Sequence, residues 1–161
     1  MIESESTHVG PIELRVIPRM RVARCFVHCA PAELWPLVEA VKTAASSAGV
    51  AVAGVPIVVF PGVATEARVH AEIRIPMSNV AAPIAASDAH PDIDFVRIER
   101  HRAACRTFSG VPGSALAGAV DGLFAWVDRS KLERAGDEHH HVYMPNTEPR
   151  AITMEIRVPV Q

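Results

Sequence analysis

The sequence is poor in cysteine and in aromatic residues, and neither sign of charge is in clear excess. Its three cysteines are an odd number and so form no complete disulfide framework. With two tryptophans, one tyrosine and five phenylalanines, the core must be built mainly from aliphatic side chains. Sixteen basic against eighteen acidic residues give a net charge of −2. A nucleic-acid binder needs a concentrated basic surface to displace counterions from phosphates, so direct nucleic-acid binding is not expected.

Long uninterrupted hydrophobic runs are also missing. Residues 43–65 carry no charge, and by length alone they would be able to cross a membrane. Two serines, three glycines and two prolines interrupt this stretch, which is therefore predicted to form a helix end, a loop and a short strand. Residues 1–10 are polar and partly acidic, unlike a secretory signal. We therefore expect a soluble cytoplasmic protein with no membrane partner, folded as one domain or as two small lobes sharing a core.

An internal repeat is the clearest pattern that the sequence does contain. The segment His70–Pro76 matches Thr153–Pro159 at a shift of 83 residues, with glutamate over glutamate and proline over proline. At a shift of 82 residues, four further positions agree in residue type: Arg15, Val16, Arg24 and Phe26 align with Arg97, Ile98, Arg106 and Phe108. The sequence therefore predicts two copies, repeat 1 at about 12–78 and repeat 2 at about 95–161, joined by a linker at about 79–94.

Each copy also contains an apolar stripe at helical spacing. The offsets are 0, +4, +7 and +11, with members Leu34, Val38, Val41, Ala45 in the first copy and Leu116, Val120, Leu123, Val127 in the second. An apolar strand follows each stripe, at Ile57–Phe60 and at His140–Tyr143. The prediction is an α+β fold of duplicated β-α-β-β units with pseudo-two-fold symmetry. Helices would lie on one side, and a ligand groove would lie between the halves.

The end of the sequence carries a family resemblance. Residues 141–143 read His-Val-Tyr, residues 144–146 read Met-Pro-Asn, and residues 153–160 read Thr-Met-Glu-Ile-Arg-Val-Pro-Val. Residues 123–127 read Leu-Phe-Ala-Trp-Val, with an aromatic residue at a position where the family named below often has one. Together with the duplicated element order, these segments resemble the GyrI-like, or regulator effector-binding, family. The second half of that family ends with a Glu-x-Tyr strand, a Pro-containing turn and a Thr-Glu-Ile-x-x-Pro-Val strand. His141 stands where the family has the glutamate.

The resemblance implies a stand-alone protein that binds a small organic ligand, hydrophobic or amphipathic and possibly cationic, as the effector-binding domains of multidrug-responsive transcription regulators do. Two alternatives come from the same family: a hydrolase of cyclopropane-bearing toxins, with His141 or Glu155 positioning water, and an inhibitor of a partner enzyme. A protein partner therefore stays possible. Because the family glutamate serves cation recognition and hydrolysis, its replacement by His141 puts both activities in question.

The last predicted strand supplies the first candidate ligand-binding residues. Thr153, Glu155 and Arg157 alternate with apolar residues and so share one face, and Glu72 forms the matching position in the first copy. In the functional interpretation, Glu155 faces a polar or cationic ligand group, with Arg157 beside it. In the alternative interpretation, this face is solvated and the same residues form cross-strand ion pairs.

Aromatic residues and histidines complete the candidate ligand-binding set. Tyr143 and its repeat counterpart Phe60 offer rings for a ligand wall, or they close the core. Trp126, one position off its helical stripe, fits core packing better than ligand contact. His141 is predicted to be a neutral hydrogen-bonding group in the groove. In the run 139–141, neighbouring residues point to opposite faces, so no metal site is expected, and no cofactor either.

The three cysteines, Cys25, Cys29 and Cys105, are predicted to behave as small buried apolar residues. A catalytic thiol would need an activating partner, and the sequence shows none.

Overall fold

A computed structural model describes residues 7–47, 49, 51–61, 69–78, 92–136, 138–144 and 152–161. These residues form nine strands and two α-helices. The strands are β1 His8–Val9, β2 Glu13–Ile17, β3 Met20–Cys29, β4 Ile57–Pro61, β5 Val69–Met77, β6 Asp94–Ile98, β7 His101–Gly110, β8 Glu138–Tyr143 and β9 Ile152–Val160. The helices are α1 Leu34–Ser47 and α2 Ser114–Arg129. The predicted α+β class is confirmed. Most of the predicted linker, 79–94, lies outside the described residues.

The chain divides into two compact units, which do not coincide with the two sequence halves. The terminal unit contains both chain ends, Met1–Ile17 and His101–Gln161, and the central unit is Pro18–Arg100. In the terminal unit the antiparallel order is β8-β9-β7, with β1 and β2 both paired to the other edge of β7. In the central unit the antiparallel order is β4-β5-β3-β6. The short strand β2 therefore pairs with the long strand of the second half, and β6 pairs with the long strand of the first.

Both predicted helices form, and each buries part of its predicted stripe, while Leu34, Leu116 and Val120 are only partly buried. Helix α1 follows a short 3₁₀ turn, Pro31–Glu33, in which the Glu33 carboxylate accepts a hydrogen bond from the Ala30 amide at 3.1 Å. It contacts β3 and β5 and buries Val38, Val41 and Ala45. Helix α2 packs its stripe on one face of β7 and β9. Its core is Ala104, Phe108, Ala119, Leu123, Val127, Met154, Ile156, Val158 and Val160.

The long strands are offset by one residue from the alignment that the sequence suggested. Arg24 lies opposite Arg74 in the central unit, whereas Cys105 lies opposite Arg157 in the terminal unit. Since Arg74 and Arg157 align at a shift of 83, Arg24 corresponds to Cys105 at a shift of 81 and not to Arg106 at 82. A shift of one residue turns a side chain to the other face of a sheet. Phe108 is accordingly fully buried, while Phe26 is 66% exposed.

Candidate functional site

Strand β8 presents its side chains alternately to two environments in the terminal unit. His141 lies opposite Ile156 and Tyr143 lies opposite Met154, and both of these β9 residues belong to the core beneath α2. Because paired residues on adjacent strands share a face, His141 and Tyr143 face α2. His139 shares that side by alternation. We call His139, His141 and Tyr143 the helix-facing row.

The helix-facing row is a continuous set of ring contacts. The ring centroids of His139 and His141 are 5.0 Å apart, and those of His141 and Tyr143 are 6.4 Å apart in an edge-to-face arrangement. Phe124 of α2 meets the His139 ring edge to face at 5.8 Å. Such geometries are favourable for aromatic rings. The row can therefore offer ring faces and edges to an apolar or aromatic ligand.

Burial keeps this row uncharged at neutral pH. It lowers the pKa of His141 to about 3, and repulsion from His139 and His140 adds to the effect. It likewise lowers the pKa of His139 to about 4, chiefly by excluding water from the charged form. Burial raises the pKa of Tyr143 to about 12. The predicted neutral state of His141 thus has a physical cause in the structure.

The opposite face of the same sheet carries the predicted carboxylate. We call it the open face because α2 does not cover it, although its Ala103, Cys105 and Val142 are buried. Glu155 accepts a hydrogen bond from Arg157 Nε at 2.6 Å and forms a second ion pair with Arg15 of β2. Met154 and Ile156 point to α2, so the prediction that Glu155 lies on the face away from the helix is confirmed. Two guanidinium groups already hold this carboxylate. This agrees with the ion pairs of the alternative interpretation but not with a solvated face, since the Glu155 side chain is only 16% exposed.

The central unit repeats this arrangement with a different arginine. Glu72 accepts a hydrogen bond from Arg74 Nε at 3.1 Å, and Arg24 Nε lies 3.4 Å from its other oxygen. Val59 lies opposite Glu72 and Val58 opposite Ile73, so Phe60 faces the apolar side that holds Ile73. The structure therefore places Phe60 and Glu72 on opposite faces, just as it separates Tyr143 from Glu155.

Trp126 lies on α2, partly buried against the core that this helix covers. This position agrees with core packing, the role predicted from the sequence because Trp126 lies one position off the helical stripe. The neighbouring aromatic on α2, Phe124, is the one that reaches the helix-facing row. Arg134 lies over the Phe124 ring at 4.5 Å from the centroid and is paired with Asp128.

The histidine run does not converge on one point. His140 lies opposite Arg157 on the open face, whereas His139 and His141 face α2. In the part of the chain that the structure describes, no three His, Cys, Asp or Glu side chains are grouped closely enough to hold a metal ion.

The cysteines lack the environment of a nucleophile. Burial raises the pKa of Cys105 and Glu155 raises it further, and together they outweigh the lowering by Arg15 and Arg157. Burial also raises the pKa of Cys25, with Asp92 and Asp94 adding to the rise. Because the thiolate is the reactive form, both environments disfavour reactivity. Cys29 is buried.

Sequence reasoning missed the arginines that complete the two carboxylate clusters, Arg15 and Arg24. Alternation along β2 puts Glu13, Arg15 and Ile17 on one face, and this much could be read from the sequence. The pairing of β2 with β7, which brings Arg15 to Glu155, involves residues about 90 positions apart and leaves no local pattern.

Comparison with known families supplies the class of this protein. The model of the GyrI-like small molecule binding domain matches residues 44–161, which is most of the chain. The chain belongs to the GyrI-like family, as its terminal motifs predicted, and it is a small-molecule-binding domain. No curated protein sequence matches it. Within the described residues, neither helix is long and apolar enough to cross a membrane.

Solved structures share the fold at low sequence identity. The C-terminal domain of EcmrR is 15% identical with a TM-score of 0.78, over 94% of this chain and 98% of that one. A hydrolase from Listeria innocua is 18% identical with a TM-score of 0.57, over 93% and 91% of the two chains. SAV2435 bound to tetraphenylphosphonium is 11% identical with a TM-score of 0.54, over 94% of both. The neighbours thus include both a regulator domain and an enzyme.

Proposed function

We propose that this protein binds a hydrophobic or amphipathic small molecule, and that the ligand contacts the helix-facing row. The observation that carries this proposal is the set of ring contacts from Phe124 through His139 and His141 to Tyr143. His141 and Tyr143 also occupy the two ends of the family's Glu-x-Tyr motif. Phe60 lies on the apolar face of the central unit, where we propose that it adds apolar surface for ligand binding.

We further propose that the ligand is uncharged where it meets the row. SAV2435 binds tetraphenylphosphonium, a bulky aromatic cation. The present chain has His141 where the family has a glutamate. The pKa of this imidazole is lowered to about 3, so it is neutral and the row carries no negative charge. A buried site without a counter-charge disfavours a cation, because the desolvation of the cation is not compensated.

Glu155 and Arg157 of the open face, and Glu72 of the central unit, have a different proposed role. Each carboxylate is bridged by two guanidinium groups, so a cationic ligand would have to displace an arginine. We propose that these clusters hold neighbouring strands together. The Glu155→Gln protein is then expected to bind ligand within about twofold of the unchanged protein. A loss of about tenfold or more, the usual cost of a lost charge-assisted hydrogen bond, would place the ligand on the open face instead.

The charge proposal predicts that His141→Glu converts the site to cation binding. We expect the affinity for tetraphenylphosphonium to rise at least about tenfold, because a carboxylate supplies the missing counter-charge. The affinity for triphenylphosphine oxide, a neutral compound of similar shape, should not rise. Isothermal titration calorimetry of both compounds measures the difference.

Thr153→Glu is the matched control, since it adds the same charge on the open face. Calorimetry should show little change in tetraphenylphosphonium affinity for this variant. If Thr153→Glu and His141→Glu raise the affinity equally, the gain comes from overall charge and the ligand does not contact the row.

Hydrolysis is the second candidate function, favoured by the fold shared with the Listeria innocua hydrolase. We predict that a cyclopropane-bearing electrophile is hydrolysed at no more than the background rate. A general base works best when its pKa is near the operating pH, whereas the pKa of His141 is lowered to about 3. Chromatographic product analysis over hours would measure this, and turnover lost in His141→Ala would establish His141 as a base after all.

We also propose that the sequence halves 12–78 and 95–161 are copies of one unit. Support comes from their common order of long strand, helix and two further strands. The pseudo-two-fold symmetry and the groove between the halves stay predictions.

A further inference from the structure

The central unit contains a cavity that is not lined by the helix-facing row. Its volume is about 670 Å³, in the range of small-molecule sites. Three arginines line it, Arg19, Arg21 and Arg97, together with apolar side chains that include Met77 and Phe95. The cavity therefore combines positive charge with apolar surface, and it lies among residues of β3, β5 and β6.

The strand register sets two of these arginines against each other. Arg21 lies directly opposite Arg97 on β6 and directly opposite Met77 on β5. Like charges at directly opposed positions of an antiparallel pair repel each other and destabilise the pairing. An anion between the two guanidinium groups would remove this repulsion.

The described residues supply only part of the counter-charge. Arg97 Nε donates to Glu99 Oε1 at 2.9 Å. Among the residues that the structure describes, neither Arg19 nor Arg21 forms an ion pair. Asp94, also on β6, is paired with Arg24 at 3.2 Å. Within the described part of the chain, the cavity wall thus has two guanidinium groups without an ion-pair partner, those of Arg19 and Arg21.

We propose that this cavity is a second binding site, specific for an amphipathic organic anion. The carboxylate or sulfonate of the ligand would lie between Arg21 and Arg97, because a planar guanidinium can donate two parallel hydrogen bonds to such a group. The apolar body would pack on Phe95 and Met77, and the flexible thioether adapts to varied shapes. This site differs from the helix-facing row in its location and in binding an anion, whereas the row is proposed to bind an uncharged group.

A matched pair of fluorescent probes tests the charge preference. 8-Anilinonaphthalene-1-sulfonate carries a sulfonate, and N-phenyl-1-naphthylamine has the same aromatic body without it. In the unchanged protein we expect saturable binding of the sulfonate probe that weakens as salt concentration rises. Decanoate and naphthalene-1-sulfonate as competitors then distinguish a preference for an aliphatic body from a preference for an aromatic one.

Two variants locate the binding. Arg21→Gln should weaken the sulfonate probe about tenfold or more while leaving the neutral probe unchanged, because one charge-assisted contact is lost. Arg129→Gln removes the same charge from the exposed end of α2 and should change neither probe. Circular dichroism verifies that both variants fold, and if Arg21→Gln does not, Arg97→Gln replaces it. Equal sulfonate affinity in the variants at Arg21 and Arg129, or equal losses for both probes in Arg21→Gln, would overturn the proposal.

Discussion

Replacing Phe108 by alanine is expected to lower the free energy of unfolding by about 3–5 kcal/mol. Phe108 is fully buried between α2 and the sheet of the terminal unit, among Leu123, Val127 and Met154. The substitution removes the apolar surface of a whole ring and leaves a cavity that close-packed neighbours fill only in part. Chemical denaturation monitored by circular dichroism measures the change.

Phe26→Ala is the matched control, because the sequence aligns Phe26 with Phe108. The ring of Phe26 is 66% exposed, and the Arg24 guanidinium lies over it at 5.0 Å from the centroid. An exposed cation–π contact contributes about 0.5–1 kcal/mol, so the loss should be no larger. Equal losses at the two positions would contradict the one-residue offset between the long strands.

Acidification from pH 7 to pH 5 is expected to destabilise the protein by about 2–4 kcal/mol through His139 and His141. In the folded state the pKa of these residues is lowered to about 4 and about 3, from an ordinary value of 6.5. Below about pH 6.5 these histidines bind protons in the unfolded chain but stay neutral in the folded chain, so protonation favours unfolding. The contribution is complete above pH 6.5 and decreases as the pH falls towards 4 and then 3.

The double variant His139→Gln, His141→Gln should flatten this dependence, since glutamine does not titrate in this range. Free energies of unfolding at half-unit steps from pH 7.5 to pH 5 supply the slope. His8→Gln, at an exposed histidine of β1, controls for the loss of any histidine. If the double variant keeps the slope of the unchanged protein, the two imidazoles are not the groups that resist protonation.

Much of the helix-facing row could be predicted, but its arrangement could not. His141 and Tyr143 were identifiable from their place in the family's motif, and alternation correctly put them on one side of their strand. Their separation from Glu155 follows from the pairing of Tyr143 with Met154 and of His141 with Ile156. A sequence shows which residues of one strand share a face, but not which residue of the next strand lies beside them.

The sequence by itself determined the α+β class, most of the buried face of each helix, the alternation along β9 and the family. These depend on periods of 2 and 3.6 residues and on short motifs, which are local properties of a chain. Only the tertiary structure decided that β2 pairs with β7 and β6 with β3, that the long strands are offset by one residue, and that Arg15 reaches Glu155. It also decided the burial that lowers the pKa of His139 and His141 and keeps both uncharged at neutral pH. Strand pairing joins residues that are far apart along the chain, and a pKa responds to the water that packing excludes, so neither can be obtained from local order.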